Sequence, residues 1–135
     1  MIDKNAVGEG ILTEQEEIYR ENILDHYKHP HNAGTLKKYT FKHRELNPLC
    51  GDEIELFVRL DKEQIEDVAF AGHGCAISQA SASMLTDFIK GKKLADLKKM
   101  NKRDVLDMLG IPIGIVRMKC ALLSLTTLHK ALEER

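Results

Sequence analysis

Three cysteines, Cys50, Cys75 and Cys120, are the residues of this chain best suited to chemistry. An odd number at wide spacing is a poor disulfide framework, so they read as reduced thiols in a cytosol-like compartment. A thiolate is both a nucleophile and a soft metal ligand, so metal binding or thiol chemistry is the candidate role. Burial as three unrelated small apolar side chains is the plainer alternative. Asp52 stands two residues after Cys50. In an extended segment such neighbours project to the same side, so the pair can offer a thiolate and a carboxylate to one ion. With Cys75 and Cys120 they make a Cys₃Asp set, four ligands that suit tetrahedral Zn²⁺. The set also suits a labile iron–sulfur cluster, because a carboxylate holds iron less firmly than a fourth thiolate. Taken alone, Asp52 reads equally as a turn or cap residue, and the wide intervals match no compact motif such as CxxC.

The elements around the thiols decide whether they can meet. Residues 53–60 alternate apolar and polar side chains, as a half-buried strand does. Residues 61–64 turn the chain, and 65–71 form the second strand of an antiparallel hairpin. Residues 39–46 give a weaker strand pattern. Gly72-His73-Gly74-Cys75 then breaks the strand, and Ile77, Ala80, Met84 and Phe88 mark one face of a helix ended by Gly91. Small residues fill its first turns and permit close packing. Thr13 and Glu16 form a capping box for a helix over 14–28, stopped at Pro30. Asn101 caps a short helix to residue 109, and a last helix covers 116–134. One α+β domain over residues 1–135, frayed over 1–12, is the economical reading.

On this layout every cysteine lies at the end of an element. Cys50 precedes the clear strand, Cys75 sits at a helix N-terminus and Cys120 lies in the first turns of the last helix. A helix N-terminus is a place where free amides favour a thiolate, so Cys75 is expected to be suited to metal or thiol chemistry. Arg117 and Lys119 flank Cys120 and are expected to do the same there, leaving it ionised and exposed. Gly51 and Gly74 let backbone approach an inorganic centre. His73 is a possible spare ligand, though a solvent-facing loop role fits it better. His26, His29, His31, His43 and His129 show no shared spacing that suggests a site, and Met100 and Met118 read as fillers.

Composition narrows the function classes. The 135 residues carry 20 basic and 21 acidic side chains, a net charge of −1, which excludes nucleic-acid binding by bulk charge. Residues 90–103 are nonetheless basic; in isolation that is a solvated face, and the sharper alternative is a docking surface for an acidic partner protein. No apolar run approaches the roughly 20 residues that span a bilayer, and the N-terminus lacks the apolar segment of a secretory signal. The expected place of work is the cytoplasm.

Three motifs together carry a family resemblance. Asn47-Pro48-Leu49-Cys50-Gly51-Asp52, the run from Gly72 through Cys75 to Ser83, and Val116-Arg117-Met118-Lys119-Cys120 closely resemble the U-type iron–sulfur cluster assembly scaffolds, the IscU/SufU family with the N-terminal domain of NifU. Ile23-Leu24-Asp25-His26-Tyr27-Lys28-His29-Pro30-His31-Asn32-Ala33-Gly34 is similar to that family as well. The resemblance implies an α+β fold with a three-stranded antiparallel sheet covered by helices. It implies that Cys50, Asp52, Cys75 and Cys120 converge at one exposed end. Such proteins receive persulfide sulfur from a cysteine desulfurase, gather iron, hold a transient [2Fe–2S] cluster and pass it to apo iron–sulfur acceptor proteins, as monomers or weak homo-oligomers. Isolated members often carry Zn²⁺ in the same pocket.

The chain mixes two subtypes. Isc-type members place a His directly before the third Cys, where this chain has Lys119. Their Leu-Pro-Pro-Val-Lys segment, read by a dedicated Hsp70 chaperone, corresponds to Ile113-Gly114-Ile115-Val116-Arg117, which does not favour that partner. Suf-type members share the basic residue near Cys120 but carry an insertion before it that this chain lacks. They act chiefly as Zn²⁺-dependent sulfur acceptors. Two expectations follow: a scaffold on which Cys120 accepts persulfide, or a Zn²⁺-dependent sulfur carrier in which Cys50 does. A structural zinc protein without transfer chemistry ranks below both, since closed structural sites usually avoid carboxylate ligands.

Overall fold

The structure, a computed structural model, describes residues 12–134. The expected frayed start falls outside the described residues in all but its last position. Helix α1 (Glu14–Lys28) begins at the expected capping box: Glu16 N–H donates to Thr13 Oγ1 at 3.1 Å, and Thr13 N–H to Glu16 Oε1 at 3.0 Å. Strands β1 (Phe41–Asn47), β2 (Asp52–Asp61) and β3 (Gln64–His73) follow and form an antiparallel sheet in the order β1-β2-β3. Between β2 and β3, Lys62 and Glu63 both take positive φ, at 51° and 65°, as a tight hairpin turn of right-handed twist requires.

The β2 pattern was clear because Ile54, Leu56 and Val58 all point into the core. That of β1 was weak because this edge strand alternates half-buried with exposed positions and buries only its last residue fully. Helix α2 (Ala76–Ile89) lies on the sheet, and α5 (Ile115–Glu133) packs against α2. The small residues of α2 make that approach possible: Ser81 Oγ donates to Ala121 O at 2.7 Å and lies 3.3 Å from Ser124 Oγ. These hydroxyls are buried but satisfied, so they add little cost to an otherwise apolar seam.

Two segments depart from expectation. Phe88, placed on the apolar face of α2 by spacing, lies at the surface with Lys92 Nζ 4.9 Å from its ring centre. The basic stretch contains an extra short helix, α3 (Leu94–Lys98), whose Leu94 and Leu97 are buried while its lysine side faces solvent. Helix α4 (Lys102–Leu109) starts at Asn101, which forms a second capping box with Asp104, and stops at Gly110 in a left-handed conformation. Among the described residues no helix is long and apolar enough to cross a membrane.

Candidate metal centre

Pairing in the sheet assembles the site. Asn47 lies opposite Asp52, and Glu53 opposite His73, so the β1–β2 turn carrying Cys50 and the β3–α2 loop carrying Gly74 and Cys75 share one edge. The first turns of α5 reach the same place. One ligand atom each of Cys50, Asp52 and Cys120 lies within 4.8 Å of the others. Cys75 sits outside that tight trio but shares with Cys50 and Cys120 a cavity of about 650 Å³. All three cysteines are free thiols.

Asp52 holds this arrangement together. It is buried to 1 % exposure, and its Oδ1 accepts the Cys75 N–H at 3.0 Å, which ties the α2 N-cap to the start of β2. Its Oδ2 is buried with no hydrogen-bond partner. An unpaired carboxylate oxygen in the interior is costly, and a cation beside the thiols removes that cost. The cap reading and the ligand reading of Asp52 are therefore compatible, with one oxygen for each. Gly74 is required next to it: at φ 156°, a Cβ would stand 2.4 Å from Asp52 Oδ1 and 2.6 Å from Ser78 Oγ.

The donor set fits a thiophilic metal: three thiols and an orphaned carboxylate oxygen around one opening. Cys50, Asp52 and Cys120 would hold it, with Cys75 supplying a fourth ligand from the same cavity wall.

Comparison with known proteins decides the family. Residues 18–134 match the family model of the NifU-like N-terminal domain. The chain is 38 % identical over 130 residues to the zinc-dependent sulfurtransferase SufU of Bacillus subtilis (strain 168), covering 84 % of this chain and 88 % of that protein. It is 35 % identical over 141 residues to the iron–sulfur cluster assembly scaffold protein IscU of Streptococcus pyogenes serotype M1, covering 90 % and 87 %. The chain belongs to the NifU-like N-terminal domain family. A crystal structure of a SufU protein from Fervidobacterium islandicum AW-1 superposes with a TM-score of 0.69 at 33 % identity, covering 87 % of this chain and 98 % of that one. A NifU-like domain from Brucella abortus, at 20 % identity and a TM-score of 0.71, shares the fold.

For a member of this family, the thiols differ more than their spacing suggested. Cys120 was expected exposed and ionised beside two cations; instead it is 2 % exposed. Its thiol is pushed well up, first by burial and then by Asp52 and Cys50 beside it, with the charge of Cys75 adding to both. Arg117 lines the cavity, but Lys119 points into solvent and does not. Sequence neighbours on a helix diverge by about 100° each, so flanking cations need not face the residue they flank. Cys50 is the exposed thiol of the three.

Other residues of the site come into view only in three dimensions. Asn47, the first residue of the Cys50 motif, is buried and donates from Nδ2 to Cys120 Sγ at 3.7 Å. Ile115 and Val116 line the cavity mouth at 94 % and 81 % exposure, with Leu49 at 77 % beside Cys50. The signal was present as two apolar residues placed before the amphipathic face of α5 begins. His73 takes the solvent-facing role expected of it, with Nε2 3.0 Å from Glu53 Oε2. Histidine spacing, by contrast, hid a convergence: His26, His31 and Asp87 bring one ligand atom each within 4.8 Å of one another.

Proposed function

We propose that this chain is an iron–sulfur cluster assembly scaffold. It accepts sulfur from a cysteine desulfurase, binds iron at Cys50, Asp52, Cys75 and Cys120, builds a transient [2Fe–2S] cluster there and passes it to apo-proteins of the cytoplasm. The observation that carries this reading is the buried Asp52 oxygen left without a partner beside Cys50 and Cys120. A permanent structural site is best served by four firm ligands. A carboxylate in the set makes the cargo releasable, as a scaffold needs.

Sulfur enters by thiol exchange. The thiolate of the accepting cysteine attacks the outer sulfur of the desulfurase persulfide; the new S–S bond forms as the old one breaks, and the desulfurase cysteine leaves as thiolate. Attack needs access and ionisation. Exposed Cys50 meets the first condition and buried Cys120 does not, so Cys50 is the proposed acceptor in place of Cys120. The apolar rim of Leu49, Ile115 and Val116 supplies the surface on which the desulfurase docks.

A second reading, zinc-dependent sulfur transfer without cluster building, is favoured by Lys119 in place of a histidine ligand and by the SufU relative. In that case Zn²⁺ occupies the same residues. Anaerobic incubation with Fe²⁺, cysteine and a desulfurase separates the two. The scaffold develops the visible charge-transfer bands of a [2Fe–2S] cluster. Retention of Zn²⁺ alone, with sharply accelerated desulfurase turnover, assigns the carrier role instead.

A further inference from the structure

We propose that His26, His31 and Asp87 form a second metal site, for a divalent first-row transition ion, separate from the cysteine cavity. The three come from different segments: His26 from α1, His31 from the loop after it and Asp87 from the last turn of α2. One nitrogen of each imidazole and one carboxylate oxygen lie within 4.8 Å of one another, and the two rings are 4.4 Å apart between centres. Two imidazoles and a carboxylate are a borderline donor set that suits Zn²⁺, Fe²⁺ or Co²⁺ and leaves further positions for water.

Two of the donors, His26 and Asp87, are held from behind, as metal ligands characteristically are, and His31 is pinned through its backbone. Ser83 Oγ, fully buried, lies 2.7 Å from His26 Nδ1 and accepts the His31 backbone N–H at 2.8 Å. Asn32 Nδ2 donates to Asp87 Oδ1 at 2.9 Å and to Thr86 Oγ1 at 3.1 Å, and Lys90 Nζ donates to Asn32 Oδ1 at 3.0 Å. His26 is itself nearly buried, so its ring is fixed in place on the inner side of the cluster. His31 and Asp87 face solvent, which gives an ion a way in. Without metal, His31 Nδ1 lies 2.5 Å from Asp87 Oδ2, a hydrogen bond that keeps the two donors side by side. An ion entering the cluster takes the place of that hydrogen bond and is held by the lone pairs it frees. It then ties α1, the following loop and α2 into one unit.

The test uses the full chain carrying Cys50→Ser, Cys75→Ser and Cys120→Ser, titrated with Co²⁺. One equivalent binds, giving visible d–d bands without the near-ultraviolet sulfur-to-cobalt charge transfer of a thiolate site. The midpoint of thermal unfolding rises with the ion. Asp87→Asn and His31→Asn, added singly to that chain, weaken binding by about tenfold or more. If the triple variant does not fold, the intact chain is titrated with Zn²⁺ against a chromophoric chelator: it takes two equivalents, and Asp87→Asn only one, at unchanged circular dichroism. Absence of the Co²⁺ equivalent in a folded triple variant, one Zn²⁺ in the intact chain, or an equivalent indifferent to both substitutions overturns the proposal.

Discussion

Helix α2 carries Cys75 at its N-cap and Asp87 three turns later, about 18 Å along its axis at 1.5 Å per residue. One helix thus serves two candidate ligand clusters of opposite character. At the cysteine end a buried carboxylate oxygen goes unpaired, and large apolar side chains ring the opening. At the histidine end each side chain has a hydrogen-bonded partner, and the second layer is polar. The first arrangement is destabilised until cargo or a partner arrives; the second is complete as a latch and tightens further with an ion. A site built for transfer leaves groups unsatisfied, and a site built for holding does not.

The sharpest way to break this contrast is Gly74→Ala. The new methyl must enter space held by Asp52 Oδ1 and Ser78 Oγ, at a backbone conformation that side chains rarely adopt. Strain of this kind costs about 1–3 kcal/mol, read as a lower urea midpoint. Metal retention at the thiols should collapse with it, because the methyl displaces Asp52. The histidine cluster, anchored by Ser83 and Asn32, should keep its ring signals in NMR spectra. Loss of both clusters together would mean that they are not independent.

Ser83→Ala attacks the other end. One hydroxyl serves both the buried His26 ring and the His31 amide, so its loss should cost about 1–2 kcal/mol for groups left partly unsatisfied. Zinc affinity at the cysteines should not change. A parallel loss there, measured by chelator competition, would show that α2 couples the two sites.

The same contrast explains how far the sequence could be read. Period two in β2, the capping boxes at Thr13 and Asn101 and the stop at Pro30 are local signals, and those elements appear within a residue or two of their expected bounds. Cys50, Asp52, Cys75 and Cys120 were legible as a candidate ligand set because each sits at or near an element end and the flanking motifs resemble a known family; the structure brings Cys50, Asp52 and Cys120 within 4.8 Å and puts Cys75 on the same cavity. What local signals could not carry was direction. Nothing in the order of residues says that Cys120 faces inward while Lys119 faces out, or that His26 and Asp87, 61 positions apart, share one corner. Helix α3 was hidden because only Leu94 and Leu97 mark it in a lysine-rich run.

The apolar rim gives a smaller effect on the fold and a larger one on function. Ile115→Ser and Val116→Ser remove side chains already in water, so stability should stay within about 0.5 kcal/mol. Desulfurase affinity should fall several-fold, measured by isothermal titration calorimetry. Unchanged affinity in the double variant would move the docking surface elsewhere.

The smallest effect belongs to a third polar group, which sharpens the contrast because it pairs fully yet offers no ligand cluster. His43 on β1 lies 2.7 Å from Glu45 Oε1 through Nε2 and 3.0 Å from Glu134 Oε2 through Nδ1, joining the edge strand to the end of α5. Lys130 Nζ adds a contact to Glu45 at 3.3 Å. The hydrogen bond to Glu45, against some burial and helped by Glu134, raises His43 above its ordinary value of 6.5. The folded chain therefore holds this proton more tightly than the unfolded one. The resulting stability is complete below 6.5 and fades as pH rises through the higher folded value. Glu45 is lowered from 4.5, chiefly by His43, so its share is present above that value and is lost as pH falls through the lower folded one. His43→Gln should cost about 0.5 kcal/mol near pH 6, the scale of a partly exposed pair, and less near pH 8. His26 shifts the opposite way, because burial favours its neutral ring. Its contribution is common to wild type and variant and cancels in their difference. A cost that grew from pH 6 to pH 8 would show that His43 acts as a neutral ring, and the pairing would then be one of shape alone.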